Sequence, residues 1–120
     1  MKVYVSGPIS GYEEANLPAF RSAADFLVSM GHEPVVPHDI APWEHAGDCP
    51  VAYTHGIDHT AACYLRGDLV ALLQCEAIYM IGRWEASVGA MLEHHVAAFC
   101  GIPIYYQGSG LLAPEVKPRG

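Results

Sequence analysis

A single glutamate, Glu93, stands among small residues in the segment Ser87-Val88-Gly89-Ala90-Met91-Leu92-Glu93. If residues 86–100 form a helix, the 3.6-residue period gives this segment two unlike faces. One face is an apolar stripe of Val88, Leu92, Val96 and Phe99, and the other surrounds Glu93 with Ala86, Gly89, Ala90, Ala97 and Cys100. Small neighbours leave room for a ligand beside the acid. The alternative is that Glu93 faces solvent and that the neighbouring alanines only permit close packing of the helix.

Ser87 and Gly89 begin the same helix, where a hydroxyl, unpaired backbone amides and the helix dipole could jointly hold a phosphate. Ser87 could equally serve only as a helix cap. Asp68 lies within the preceding helix, where a charge usually faces solvent. These positions alone therefore leave a functional and a structural interpretation open.

The loop Ser6-Gly7-Pro8-Ile9-Ser10-Gly11 follows the first strand directly, so its amides can point at a ligand. It lacks the Lys-Ser/Thr ending of a Walker loop and the spacing of the dinucleotide fingerprint. A tight turn between strand and helix explains its glycines equally well.

The seven histidines raise the question of a metal site. His55 and His59 are four residues apart, and His38 and His45 lie in the same loop-rich region, but no third ligand falls at a recognisable zinc spacing. We therefore expect no metal and no other cofactor. The four cysteines form no Cys-x-x-Cys pair, so disulfides are not expected either.

The composition predicts one domain over residues 1–120, since 52% of the residues are hydrophobic and a chain of this length holds one core. Six basic and thirteen acidic residues give a net charge of −7, which opposes binding to a nucleic-acid polymer.

No apolar run could span a bilayer, and the first strand leaves no space for a signal peptide, so we expect a cytoplasmic protein without membrane contact. The Gly- and Pro-containing tail from about residue 107 to 120 is expected to be poorly ordered.

The elements that must position these residues alternate between strand and helix. Strands are predicted at 2–6, 33–36, 77–81 and 102–106, and helices at 17–30, from about 58 or 60 to 74, and at 86–100. Asn16 is the expected cap of the first helix and Gly31 its stop, Pro34 indicates an edge strand, and the second helix should pack Leu65, Leu69, Leu72 and Leu73 inward.

This alternation predicts an α/β domain of the three-layer Rossmann or flavodoxin-like type, in which helices flank a parallel sheet of four or five strands. Ligands bind beyond the carboxyl ends of such strands. The loops concerned are 7–12, 37–59 and 82–89.

Several motifs together resemble the nucleoside 2'-deoxyribosyltransferase-like superfamily over nearly the whole chain. They are Val3-Tyr4-Val5-Ser6-Gly7-Pro8, Asp68-Leu69 before Cys75-Glu76-Ala77-Ile78, and Ser87-x-Gly89-x-x-x-Glu93-x-x-x-Ala97-x-x-x-Gly101-x-Pro103. The Ser-x-Gly-x-x-x-Glu form is similar to the nucleotide N-glycosidase branch, and Gly82-Arg83-Trp84-Glu85-x-Ser87 is similar to small phage and bacterial relatives.

The resemblance implies a role for each site residue. Glu93 would be the nucleophile, Asp68 the acid/base partner, and Ser87, Gly89 and the loop that follows Ser6 the phosphate cradle, which includes Gly7, Ile9, Ser10 and Gly11. Transferases of the family usually carry an aspartate where this chain has Ser87, which favours a phosphorylated substrate. The family's active sites are completed across a dimer interface, so a homodimer is expected.

The function implied is hydrolysis of the N-glycosidic bond of a nucleoside 5'-monophosphate, a deoxynucleotide or a modified pyrimidine nucleotide being candidates, through a covalent glycosyl-Glu93 intermediate. A carboxylate below C1' can trap the oxocarbenium-like sugar while a second acid protonates the departing base. The alternative enzyme is a deoxyribosyltransferase that exchanges bases, and the alternative of another class is a non-catalytic nucleotide-binding protein. The His-rich segment 43–60 lies where the base would be read, so base identity stays open.

Overall fold

The structure is a computed structural model that describes residues 1–44 and 61–109. Strands β1 (Lys2–Ser6), β2 (Glu33–Val35), β3 (Ala77–Met80) and β4 (Ile104–Tyr106) alternate with helices α1 (Leu17–Ser29), α2 (Ala61–Leu73) and α3 (Val88–Cys100). Short 3-10 turns cover Glu13–Asn16, Pro37–Asp39 and Trp84–Ala86. The predicted α/β fold with a parallel, helix-flanked sheet is confirmed.

The sheet has four strands in the order β2-β1-β3-β4, and every pair is parallel. Helices cover both faces because the side chains of a strand alternate between them. On one face, Val3 and Val5 of β1 pack with the buried α1 residues Phe20, Ala23, Ala24 and Leu27. On the other, Tyr4 packs with Leu72 of α2 and with Ala90 and Ala97 of α3. The strand β2 is at the edge, as Pro34 predicted.

The start of α1 differs from the prediction. Glu14, Ala15 and Asn16 all have positive φ (53°, 53° and 60°), which is a left-handed turn made without glycine. Asn16 makes no side-chain cap for the helix, and its amide nitrogen instead donates to the Pro8 carbonyl, 2.8 Å away. The residue expected to cap a helix therefore fastens a left-handed turn to the loop after β1. At the other end, Gly31 has the positive φ expected of a helix stop.

Leu73 was predicted to face the core, and this was wrong, since its side chain is 52% exposed while Leu72 is fully buried. Successive helical residues point about 100° apart, so both cannot face the sheet. The helix α3 also begins later than predicted, at Val88, because Ser87 is its cap and Ala86 belongs to the preceding 3-10 turn.

Candidate active site

A cleft of about 990 Å³ opens beyond the carboxyl ends of the central strands. Its walls include the loop after β1, the 3-10 turn after β2, the middle of α2 and the first two turns of α3. Of the residues predicted for the site, those lining the cleft are Gly7, Ile9, Ser10, Gly11, Asp68, Ser87, Gly89 and Glu93. The fold thus brings together residues that lie up to 86 positions apart.

Glu93 is held by two hydroxyl groups of β1. The Tyr4 hydroxyl donates to Oε2 at 2.7 Å, and the Ser6 hydroxyl donates to Oε1 at 2.6 Å. Glu93 is only 5% exposed. Burial raises the pKa of Glu93, whereas the hydrogen bonds from Ser6 and Tyr4 lower it. Burial is the larger effect, so the pKa of Glu93 stays above its ordinary value. Both hydroxyls donate to the carboxylate oxygens, so they favour the charged form and fix the orientation of the group.

Tyr4 stays a donor throughout the neutral range. Burial, the charge of Glu93 and the charge of Asp68 all raise its phenol pKa well above the ordinary value. Sequence reasoning missed Tyr4, although the period of two along β1 places it on the same face as Ser6. That alternation was the available signal.

Ser6 itself does not line the cleft. It is fully buried, and its hydroxyl goes to Glu93, while Gly7 to Gly11 form the cleft wall in front of it. Gly7 lies close to Ile81 at the end of the neighbouring strand β3, since a Cβ at position 7 would lie 2.5 Å from the Ile81 side chain. The absence of a side chain at Gly7 therefore lets the loop settle against the end of β3.

Asp68 lines the same cleft from α2 rather than a solvated helix face. Burial, followed by the negative charge of Glu93, raises the pKa of the Asp68 carboxyl from 3.8 to about 8. Of the two carboxyl groups, Asp68 is therefore the one that keeps a proton near neutral pH, while the hydroxyl donors on Glu93 favour ionisation of that group first. Two carboxyl groups with such separated protonation states can serve as a proton donor and a nucleophile in one site.

Ser87 caps α3, because its hydroxyl oxygen accepts a hydrogen bond from the Ala90 amide at 3.2 Å. The hydroxyl hydrogen remains a possible donor to a ligand. Gly89 has nothing within 4 Å of where a Cβ would be, so open space lies beside it. A helix N-terminus with open space in front of it is suited to a polar or anionic ligand group.

The remaining cleft wall is rich in apolar and aromatic groups, chiefly Ile9, Tyr12, Pro37, Ile40, Tyr64 and Leu65. His38 also lines it, with its Nε2 2.7 Å from the Ala15 carbonyl. This composition is typical of small-molecule sites, in which apolar walls surround a few placed polar groups. Of the segment 43–60, which was expected to contribute to base recognition, residues 45–60 lie outside the described residues, as does most of the tail.

Within residues 1–44 and 61–109, no three His, Cys, Asp or Glu side chains are grouped so that they could hold a metal ion. His45, His55 and His59 lie outside these ranges. In the same part of the chain, every helix is too short or too polar to cross a membrane.

The fold is similar to two solved structures. One is a 2-deoxyribosyltransferase from Bacillus psychrosaccharolyticus, with a TM-score of 0.61, 16% identity, and coverage of 94% of this chain and 77% of that chain. The other is a 2-deoxyribosyltransferase from Leishmania mexicana, with a TM-score of 0.58 and 16% identity, covering 88% of this chain and 62% of that one. No curated protein matches the sequence. The model of one family, described as a domain of unknown function (DUF4406), matches residues 1–106, and the chain therefore belongs to that family.

Proposed function

We propose that the chain cleaves the N-glycosidic bond of a nucleoside by double displacement and passes the sugar to a second nucleobase. Glu93 attacks C1', the C1'–N bond breaks, and its electron pair leaves on the base nitrogen, which takes the proton of Asp68. In the second half, an incoming base attacks C1', returns its proton to Asp68 and frees the Glu93 carboxylate. The single observation that carries the proposal is the buried Glu93 carboxyl group with two hydroxyl donors, in one cleft with Asp68, whose pKa burial raises to about 8.

Two considerations favour a nucleoside donor. The structures similar in fold are 2-deoxyribosyltransferases. In addition, the described cleft wall contains neither lysine nor arginine, so it offers no side-chain cation to the phosphate of a nucleotide. The apolar wall with Tyr12 and Tyr64 suits a flat base.

Hydrolysis of a nucleoside 5'-monophosphate is the second candidate, and the N-terminus of α3 is the observation that favours it. Ser87 keeps a hydroxyl hydrogen to donate, and the first amides of α3 and the open space at Gly89 lie at the cleft. Here, water would replace the second base, and sugar phosphate would be released.

The experiment separates these functions by their products. The protein is incubated with a panel of nucleosides and their 5'-monophosphates, each with and without a different free base, and chromatography follows free base and new nucleoside. Base exchange that requires the second base supports the transferase, whereas base release from monophosphates without an acceptor supports the hydrolase. Glu93→Gln is the control, since its amide oxygen keeps an acceptor for one of the two β1 hydroxyls while the nucleophile is removed. Turnover equal to wild type in Glu93→Gln would refute the covalent route for both.

A non-catalytic nucleotide-binding protein would bind members of the same panel and release no base from any. Calorimetry on the wild-type protein distinguishes this outcome from a protein that was given the wrong substrates, because binding without turnover identifies the ligand directly.

We also propose that the chain forms a homodimer through the outer face of α3. Val88 and Phe99 on this face are 78% and 91% exposed, and Leu92 lies between them. Val88 and Leu92 also line the cleft, so the apolar face is continuous with the rim of the site. Exposed apolar surface of this kind marks interaction sites. Sedimentation analysis of wild type and Phe99→Ser tests this, since the variant should shift the population to monomer; a wild-type protein that is monomeric at all concentrations contradicts it.

A further inference from the structure

Tyr4 and Ser6 lie two residues apart on β1, and each donates a hydrogen bond to a different oxygen of Glu93. We propose that Ser6 is a positioning residue, whose hydrogen bond to Oε1 keeps the Glu93 carboxylate ionised and turned toward the cleft. The proposal rests on the function proposed above, because it concerns the nucleophile of that reaction. It assigns Ser6 to the carboxylate rather than to a substrate phosphate.

Burial places Ser6 out of reach of a substrate. Its exposed fraction is zero, and the cleft wall begins at the next residue, Gly7. Any effect of the hydroxyl on the reaction must therefore pass through Glu93, 2.6 Å away. The backbone of Ser6 is engaged separately, since its carbonyl accepts from the Ile81 amide at 2.8 Å. The sheet thus makes no use of the side-chain hydroxyl.

The two hydroxyls together define the carboxylate's orientation. One donor would let the carboxylate rotate about its last bond, but donors on both oxygens, arising from one rigid strand, fix the plane of the group. Each oxygen keeps a further lone pair for attack on C1'. If the Ser6 hydroxyl is removed, Tyr4 cannot replace its hydrogen bond to Oε1, because the Tyr4 hydroxyl already donates to Oε2. Tyr4 is also fully buried.

Hydrogen bonds to a carboxylate favour its charged form, and both Ser6 and Tyr4 lower the pKa of Glu93 against the effect of burial. Loss of the Ser6 hydroxyl should therefore leave a carboxyl that holds its proton to higher pH. Glu93 would then be protonated, and unable to attack, over a wider part of the acidic range.

The test measures the Glu93 pKa directly, by NMR of protein labelled with 13C in its glutamate carboxyls, with Glu93→Gln used to assign the signal. Ser6→Ala should raise the pKa of Glu93 by about one pH unit or more. Ser6→Cys, whose thiol is a weak donor of similar size, should give a smaller rise and serves if Ser6→Ala does not fold. Ser29→Ala is the matched control, because Ser29 is exposed at the end of α1 and donates only to the Phe26 carbonyl.

A Glu93 pKa that is the same in Ser6→Ala and wild type, or in Ser6→Cys and wild type if only that variant folds, overturns the proposal. In the activity profile, the acidic limb of kcat/KM should move upward by the same amount as the NMR value, while Ser29→Ala leaves both unchanged. A merely structural Ser6 would lower activity equally at every pH. If the NMR shift occurs but wild type releases no base from any substrate, the role of Ser6 toward Glu93 stands and the proposed reaction fails.

Discussion

Asp68 and Glu93 line one cleft from neighbouring helices, and the charge of Glu93 is the second cause, after burial, of the high pKa of Asp68. Near neutral pH, Asp68 is therefore the group of the two that retains a proton. An enzyme built on this pair needs Glu93 ionised and Asp68 protonated at the same time.

The first prediction is a loss of activity on the alkaline side. Asp68 is protonated below its pKa of about 8, so kcat/KM for base release should fall as the pH rises through that value. Asp68→Asn removes the proton donor and should slow base departure by about 10²- to 10⁴-fold, with no alkaline limb near this pH. Rate profiles of both proteins across the pH range check this. An unchanged alkaline limb in Asp68→Asn would assign it to another group.

The second prediction concerns stability. The pKa of Asp68 is raised from 3.8 to about 8, so the folded protein keeps a proton that the unfolded chain has lost. The contribution of this group is full at low pH and is lost as the pH rises from about 4 toward about 8. Asp68→Asn does not titrate, so its advantage in unfolding free energy over wild type should grow across this window. Urea unfolding at a series of pH values measures the difference, and parallel curves would contradict the burial of an acid here.

The third prediction compares two substitutions of Ser87 that both cap helices well. Ser87→Asp adds a negative charge at the N-terminus of α3, and Ser87→Asn is its neutral control. If a phosphate binds there, Ser87→Asp should lower kcat/KM on a 5'-monophosphate at least about tenfold relative to Ser87→Asn, with a smaller effect on the nucleoside. Equal effects on both substrates would show that no phosphate binds at the N-terminus of α3 and would favour the nucleoside as substrate.

The fourth prediction uses the open space beside Gly89. Glycine inside a helix costs about 0.5–1 kcal/mol relative to alanine, and an added Cβ at this position meets no atom within 4 Å. Gly89→Ala should therefore raise the unfolding free energy by about that amount while weakening substrate binding, because the methyl group enters the cleft. Thermal unfolding and KM are the measurements. A variant that is more stable and equally active would show that no ligand approaches Gly89.

Gly67→Ala provides the opposite case for comparison. Its Cβ would lie 2.4 Å from the Ala41 carbonyl oxygen, so the substitution forces α2 away from the segment after β2. A cost of about 1–3 kcal/mol is expected for such overpacking. The two glycine variants therefore should change stability in opposite directions.

The helices followed from the period of their apolar positions, whereas the strands were predicted as short apolar runs between loops, because strands of three residues such as β2 and β4 are too short to show a repeat. The two stripes of α3 were also visible in the sequence, but periodicity alone does not tell which stripe faces the sheet. The structure buries Ala90, Glu93 and Ala97 and leaves Val88 and Phe99 exposed. A scale of hydrophobicity would favour the reverse, and close approach of α3 to the sheet explains the actual choice, since only small side chains fit there.

The candidate site was predictable where a motif fixed both residue and loop, as at Gly7 and Ser87. The link from Tyr4 to Glu93 was not, because hydrogen bonds between distant residues depend on how α3 crosses β1. The left-handed turn at Glu14, Ala15 and Asn16 was missed for a different reason. Non-glycine residues rarely adopt positive φ, so a sequence rule assigns Asn16 to a helix cap instead.

The pairing of Tyr4 with Glu93 joins positions 89 residues apart, near the two ends of the described chain. Contacts of such separation carry a loop-closure entropy cost, which is smaller once the intervening strands and helices have packed. Glu93 therefore gains its hydroxyl partners only when α3 packs on β1, and a partly folded species without this packing has a solvated Glu93 carboxyl group. The two hydrogen bonds on Glu93 would then report that β1 and α3 have come together.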